Sequence, residues 1–172
     1  MLLKNLINIL IQLMLFNYKE KEKNIMNVEF MLKNFSIEKE KGTTEEEIEK
    51  AEKMYNFILP NFYKEILMFS NGMDMEGMIG EENSISLFGL ERIYEDNKDL
   101  YETSLYLPGF LVIGCTGGEE VLVVEQKNNV KKIYIYDDDM LFPNEATFIV
   151  INIEKWFLNG CPMGEELYKC IY

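Results

Sequence analysis

No histidine occurs anywhere in the 172 residues of this chain. Histidine is the one side chain whose unperturbed pKa lies near neutrality, and it is also the commonest metal ligand in proteins. Its absence excludes serine–histidine–aspartate triads and metal sites built on imidazole. The sequence therefore offers no catalytic residues of these kinds, and we expect no cofactor.

Cysteine is scarce, and its three positions, Cys115, Cys161 and Cys170, show no C-x-x-C spacing. An odd number of widely spaced cysteines indicates neither a disulfide framework nor a zinc site. We interpret them as reduced thiols, which predicts a cytoplasmic protein. Cys115 lies beside a glycine turn and is a candidate nucleophile, but no histidine is present to activate it.

The chain also lacks an apolar run long enough to cross a membrane. The apolar stretch at residues 6–16 contains Asn8 and Gln12, and it is shorter than the roughly 20 residues that a spanning helix needs. No small-residue cleavage site follows it, so a secretory signal is not indicated. We expect neither stable membrane insertion nor secretion.

Residues 1–25 nevertheless form a distinct apolar extension, and three interpretations of it stay open. It is an extra helix packed on the domain, a helix on a membrane surface, or an upstream extension from a misassigned start, with Met26 as the true first residue. Its apolar residues are spread too evenly for a clean amphipathic stripe, which disfavours the membrane-surface helix. The predicted organisation is an extension over 1–25 and one domain over 26–172, a length that suits a single core.

Positive charge is the other shortage, because 17 lysine and arginine residues face 30 aspartate and glutamate residues, for a net charge of −13. Such an excess of carboxylates disfavours binding to nucleic acid through its phosphates and favours a basic partner. Residues 1–25 contain four lysines and two glutamates, so the acidity belongs to the domain that follows. The alternative interpretation of this charge is solubility alone.

Helical signals dominate the first part of the domain. Residues 27–35 place apolar side chains at helical spacing. Thr44 followed by Glu47 predicts a capping box and a second helix beginning at Thr44. Pro60 suits the first position of a third helix and Gly72 a left-handed C-terminal cap, with a buried apolar link over residues 57–59 between the two helices.

Strand signals dominate the second part, with a short strand predicted at 84–89 and a short helix at 90–104. Three apolar runs, FLVIG, EVLVVEQ and KKIYIY, are separated by Gly117-Gly118 and Asn128-Asn129, which predicts an antiparallel meander over 110–136. A fourth strand at 145–151 leads into a final helix that carries Ile153, Trp156 and Phe157. Residues 73–83, MDMEGMIGEEN, are interpreted as an exposed loop.

Two segments carry a family resemblance. TTEEEIEKAEKMYNFILPNFYKEILMFSNG and FLVIGCTGGEEVLVVE resemble the two signatures of the SUKH superfamily, which joins a fungal regulator of cell-wall synthesis to many immunity proteins of bacterial polymorphic toxin systems. The similarity runs from about Thr44 to Leu158. The sequence departs from the family pattern at Met73, where glycine is common, and in the turn TGGEE.

The resemblance implies an α+β fold, a single domain with a mostly antiparallel sheet of about four to six strands and helices packed against it. It implies binding rather than catalysis, since family members in toxin systems bind and block a cognate toxin. Its signature positions have structural roles and supply no catalytic residues. These positions are Ile48, Leu59, Pro60, Tyr63, Gly72, Gly117 and Gly118.

Strand direction predicts where a partner binds. In a meander, the turn between the first two strands lies at the same end as the close of the third, so Glu119 and Glu120 lie near the aspartates at 137–139, and the lysines at 127, 131 and 132 lie at the opposite end. An acidic end suits the cationic surface of a nuclease toxin, and residues 73–76 add adaptable apolar and acidic contacts. The predicted partner-binding residues are Asp74, Glu76, Glu119, Glu120, Asp137, Asp138 and Asp139.

Other functions fit parts of the same pattern. Carboxylates at one end of a sheet also suit calcium or magnesium, or a glycosidase pair, although D-D-D-M lacks the alternating ligands and glycine of a calcium loop. A regulatory scaffold of the cell-wall-regulator type is the main alternative. The expected partner is a basic cognate toxin, and the sequence leaves the oligomeric state open.

Overall fold

A computed structural model describes residues 28–33, 35–76, 84–118, 120–128, 130–137 and 149–161. The extension over 1–25, most of the predicted loop and the first residues of the predicted fourth strand lie outside these ranges. The helices in chain order are α1 Val28–Met31, α2 Glu45–Tyr55, α3 Asn61–Phe69, α4 Leu90–Glu95, a π-helical turn Asp96–Leu100, α5 Thr103–Tyr106 and α6 Ile153–Leu158. The strands are β1 Ser36–Lys39, β2 Met73–Glu76, β3 Ser84–Leu87, β4 Phe110–Thr116, β5 Glu120–Glu125, β6 Lys132–Asp137 and β7 Ile149–Asn152.

The strands form one sheet in which every neighbouring pair is antiparallel and the spatial order is the chain order. The predicted α+β class and the antiparallel meander are confirmed. The described residues hold seven strands, one above the upper end of the expected range of four to six. The additions are β1, which was not predicted, and β2, which the sequence analysis assigned to a loop.

The prediction of a loop beginning at residue 73 is wrong at its start. Met73 and Met75 are buried, whereas Asp74 and Glu76 are exposed, which is the two-residue alternation of a strand with one face in the core. The two methionines therefore belong to the core, and the adaptable surface contacts expected of them are not available.

The capping box at the start of α2 is confirmed. The Thr44 hydroxyl accepts a hydrogen bond from the Glu47 amide at 3.2 Å, and the Thr44 amide donates to the Glu47 carboxylate at 2.8 Å. The backbone bond from Thr44 is the main cause that lowers the pKa of Glu47. Ile48 and Ala51 are buried on the inner side of the helix, and Asn56 ends it in the left-handed conformation.

The ends of α3 differ from the prediction by a short distance. Pro60 is the extended residue that precedes the helix, and Ser70 closes it. Gly72 has a φ of +108°, but it leads directly into β2. The Ser70 hydroxyl lies within hydrogen-bonding distance of the carbonyl oxygens of Gly72 and of Glu40, the residue after β1. In the link before α3, residues 57 and 59 are buried, but Ile58 is exposed.

One cluster of buried apolar side chains joins the sheet to the helices. It includes the predicted inner face of the last helix, Ile153, Trp156 and Phe157, all of which are buried. None of the helices in the described ranges is long and apolar enough to cross a membrane.

Two buried polar side chains join helices to the backbone of β4. The Tyr63 hydroxyl lies 2.9 Å from the Phe88 carbonyl oxygen and 2.8 Å from that of Ile113. Ile113 lies at a bulge in the pairing of β4 with β5. The Ile113 carbonyl also accepts from the Phe88 amide at 2.8 Å, so the tyrosine from α3 is a second donor to this carbonyl at the bulge.

Asn97, in the π-helical turn, makes the second connection. Its amide nitrogen donates to the carbonyls of Ile93 and Val112, each at 2.7 Å, and its oxygen accepts from the Val112 amide at 2.8 Å. The i to i−5 bond of this turn runs from the Tyr101 amide to the Asp96 carbonyl at 2.8 Å. Asn97 thus satisfies both backbone groups of Val112 in the core.

Replacing Asn97 by alanine should lower the free energy of unfolding by about 2–4 kcal/mol, because buried backbone groups of Val112 lose their partner. Urea denaturation measures this change. Asn128→Ala is the control, since Asn128 bonds only near the surface, to Glu125 and to Val130. Equal losses in the two variants would contradict the role assigned to Asn97.

Burial raises the pKa of the Tyr63 hydroxyl far above its ordinary value, and a bond to Phe88 only partly opposes this shift. The folded state therefore keeps a proton that the unfolded chain releases near pH 10, so the resulting stability is complete below about pH 10 and is lost as the pH rises further. In Tyr63→Phe this alkaline loss should be shallower, as measured by urea denaturation between about pH 8 and 11. Burial also raises the pKa of Tyr134 and Tyr136, so some slope persists, and an unchanged slope would contradict the prediction.

Candidate functional site

The first three strands expose a polar face. Cross-strand register places Glu38 opposite Asp74, Asp74 opposite Ser86, and Ser86 opposite Cys115. Directly opposed residues share a face of an antiparallel sheet, so these four side chains form one row. The Ser86 hydroxyl donates to the Asp74 carboxylate, which links β3 to β2 on this face.

A cleft of about 380 Å³ adjoins this row, between the start of β2 and helix α4. Its lining includes the carboxylates of Glu40, Asp74, Glu91 and Glu95 together with the guanidinium of Arg92. We call the exposed carboxylates of this region the acidic surface. Its members are Glu38, Glu40, Asp74, Glu76, Glu91 and Glu95.

Among the described residues, no cation pairs with the acidic surface. Ion pairs within the described ranges involve five other carboxylates, those of Glu49, Glu52, Asp96, Asp99 and Glu154. No lysine or arginine in those ranges forms an ion pair with a member of the acidic surface. Its charge therefore stays available to a partner.

Two residues close in sequence, Phe88 and Asp96, hold the side chain of Arg92, the chain's only arginine. Its guanidinium carbon lies 3.8 Å from the centre of the Phe88 ring, and its Nε donates to Asp96 at 3.0 Å. Burial raises the pKa of the Cys115 thiol, and Arg92 opposes this shift. A raised pKa favours the protonated thiol, which is the less nucleophilic form.

The Asn71-Gly72 pair of the family signature positions the cleft. The Asn71 side-chain oxygen accepts a hydrogen bond from the Leu90 amide at 3.0 Å, at the start of α4. The backbones also approach closely, since a Cβ added to Gly89 would lie 2.4 Å from the Asn71 carbonyl oxygen. Asn71 therefore fixes α4 against the start of β2.

The predicted partner-binding residues fall into two groups. Asp74 and Glu76 lie on the acidic surface. Register pairs Glu120 with Asp137, as the meander argument predicted, but β5 is about 14 Å from β2. Glu119, Asp138, Asp139 and the side chain of Asp137 lie outside what the structure describes.

Asp74 and Glu120 also point to opposite faces of the sheet. Val121 pairs with Cys115 and so shares the face of Asp74, whereas Glu120 is next in the strand and points the other way. The Thr116 hydroxyl donates to the Glu120 carboxylate. Asp74 and Glu120 therefore do not form one continuous patch.

Sequence reasoning missed four members of the acidic surface, Glu38, Glu40, Glu91 and Glu95. The segment SIEKE shows a weak alternation of polar and apolar residues, which was the available signal for β1. The other two glutamates belong to the predicted helix at 90–104, but their proximity to β2 depends on the Asn71 contact. No local pattern contains that information.

The opposite end of the sheet carries the predicted lysines. Lys127 follows β5, Lys132 begins β6, and Lys131 forms an ion pair with Glu154 at the start of α6. Register places Glu120 and Asp137 at the other end of β5 and β6, while the remaining residues of the predicted acidic end lie outside the described ranges. Three metal-ligating side chains do not come together anywhere in the described ranges, and most of the aspartates considered for a metal lie beyond them.

This antiparallel sheet with its helical cover defines an α+β domain. The model of the SMI1 / KNR4 family (SUKH-1) matches residues 42–159, and the chain belongs to this family. A search of curated proteins finds no match. The matched residues include β2 to β7, whereas β1 precedes them.

Replacing Asn71 by alanine should lower the free energy of unfolding by about 1 kcal/mol, because the first amide of α4 loses its acceptor. Asn71→Asp keeps an acceptor oxygen and should retain most of the stability. Urea denaturation of both variants tests the assignment. Equal destabilisation by alanine and aspartate would contradict a capping role for this side chain.

Proposed function

We propose that this protein is an immunity protein, which binds a basic cognate toxin of a bacterial polymorphic toxin system and blocks it. Membership of the SUKH group supports a binding role, and the observation that carries the basic partner is the acidic surface. Six exposed carboxylates there have no cationic partner among the described residues. In this proposal the protein acts in the cytoplasm and without catalysis.

Charge makes this surface useful for capture. Negative charges gathered on a single face raise the local concentration of a cationic partner and speed its encounter with the protein. The members of the acidic surface are exposed, so they stay hydrated until the partner supplies lysine or arginine. Binding should therefore weaken as salt screens the attraction.

The shape of the surface adds selectivity. Glu38, Asp74 and Glu76 lie on two paired strands, while Glu91 and Glu95 line the far wall of the cleft. A basic side chain that enters the cleft meets carboxylates on both walls. Near α4 it also meets Arg92, whose positive charge repels it. The partner's charges must therefore match a fixed pattern, because like charges brought together at an interface are costly.

The acidic end formed by residues 119, 120 and 137–139 is a second candidate contact. It combines Glu120 and Asp137, which are paired across β5 and β6, with three further acidic residues next to them in sequence. A basic partner that reaches this end meets the opposite face of the sheet. The two contacts are separable by mutation.

Affinity capture of the tagged chain from its own cells tests the proposed function. We expect one basic protein with a toxin-like domain, released as salt is raised and identified by mass spectrometry. Recovery of several enzymes of cell-envelope synthesis would instead favour the regulatory scaffold. Recovery of no partner in low salt would contradict the proposal.

The triple variant E38K/D74K/E76K should weaken binding of the captured partner at low salt by at least roughly tenfold, since charge complementarity becomes repulsion. D137K/D138K/D139K has the same change in charge and probes the second contact. R92Q makes the acidic surface more negative and should speed association. Surface plasmon resonance measures all three, with melting temperatures as a check on folding.

If only the 137–139 variant loses affinity, the second contact is the binding site and the acidic surface is not. Unchanged binding in both triple variants at low salt would contradict the electrostatic proposal as a whole. A loss of melting temperature that accompanies the loss of affinity would indicate misfolding instead, so the single variants Glu38→Lys and Asp74→Lys serve as milder tests.

A further inference from the structure

Strand β1 pairs with β2 on one side and forms an edge of the sheet. The Glu40 amide donates to the Gly72 carbonyl at 3.3 Å. This bond lies two residues beyond the pair of Glu38 with Asp74 and continues the same register. Hydrogen-bonded pairs alternate along an antiparallel ladder. Ser36 and Glu38 therefore bond towards β2, and the backbone groups of Ile37 and Lys39 point outwards.

The alternation of backbone hydrogen bonds in the next strands agrees with this assignment. If the backbone groups of residues 74 and 76 bond to β1, those of Met73 and Met75 bond to β3. The backbone groups of Ser84 and Ser86 in β3 must then bond to β4. The Gly117 amide does donate to the Ser84 carbonyl, at 2.7 Å. The outward direction of the groups at residues 37 and 39 is thus consistent across four strands.

This edge is open in the part of the chain that the structure describes. No backbone bond there reaches the outer side of Ile37 or Lys39. Lysines often protect sheet edges by projecting from them, but the Lys39 ammonium lies over the Phe69 ring, 4.2 Å from its centre. The short strand therefore leaves two pairs of backbone groups for a partner.

Charge decides which occupant the edge favours. Glu38 lies on the exposed face beside Asp74, and Glu40 follows directly after the strand. A second copy of this chain paired at the same edge would bring glutamates close together, and like charges across strands are destabilising. A basic segment would meet the opposite charge.

We propose that β1 accepts a short extended segment of the partner protein as an added strand. Lysine or arginine in that segment lies opposite Glu38, and apolar residues lie opposite Ile37 and Lys39, whose side chains are on the helix-covered face. The identity of the partner rests on the proposed function, but the open edge does not. Residues 36–39 also precede the segment that matches the family.

The probe for this edge is a synthetic peptide of about seven residues that alternates lysine and valine, a length that covers a four-residue strand with some overlap. Binding to the full chain is followed by amide hydrogen exchange in NMR spectra at low salt. We expect slower exchange at Ile37 and Lys39, whose amides gain an acceptor. The Glu38 amide, which is bonded to β2, serves as an internal reference and should change little.

Two control peptides separate backbone pairing from charge alone. A peptide with methylated backbone nitrogens keeps the lysines but loses its donors, and it should bind roughly tenfold more weakly. A peptide with glutamate in place of lysine should not bind. Equal binding of the methylated peptide, with no protection of residues 37 and 39, would overturn the added strand.

Protein variants provide the matched test. Ile37→Pro removes an outward amide and should weaken peptide binding roughly tenfold, whereas Ile37→Val keeps the amide and should bind normally. Lys39→Pro is the second variant if Ile37→Pro fails to fold. Undiminished binding by a folded proline variant would overturn the proposal.

The same variants separate this inference from the proposed function. If Ile37→Pro still captures the basic partner with unchanged affinity, the added strand is wrong and the immunity proposal stands. If the wild-type chain captures no partner but the peptide protects Ile37 and Lys39, the edge is a binding site and the toxin proposal fails.

Discussion

The backbone of β4 at Val112 and Ile113 is where the sheet and the helices are joined by hydrogen bonds. The bulge there breaks the regular pairing with β5. Tyr63 from α3 and Asn97 from the π-helical turn satisfy carbonyl and amide groups at these two residues. Buried polar groups need such partners, so Val112 depends on Asn97, while the Ile113 carbonyl accepts from Tyr63 and from the Phe88 amide. These bonds hold α3 and the segment after α4 against the sheet.

Local patterns predicted the elements that local chemistry determines. Thr44 and Glu47 satisfy each other within one turn, and the β4–β6 hairpins follow from their turns, so both were readable from sequence. Strand β1 was missed because it has only four residues. Ile37 is its one apolar residue, and the Ile37 side chain is only half-buried. Strand β2 was missed because its methionines are ambiguous, and only pairing with β1 and β3 determines their burial.

The candidate site was predicted only in part for the same reason. Asp74 and Glu76 were recognised as acidic residues near a turn, but Glu38 joins them through a strand pair between distant segments. Glu91 joins them because Asn71 holds α4 in place. The separation of Glu120 from Asp74 depends on the register of three strand pairs, and a difference of one residue would have placed both on one face.

The arrangement of the sheet has a consequence for how the molecule responds to contact. Each strand pairs only with its neighbours in the chain, so β1 is the one strand at its end of the ladder and touches the rest of the sheet through β2. Such terminal elements open at low free-energy cost while the core stays closed. Neither Tyr63 nor Asn97 bonds to β1, so in the proposed complex an added strand would meet the part of the sheet farthest from those two buried connections.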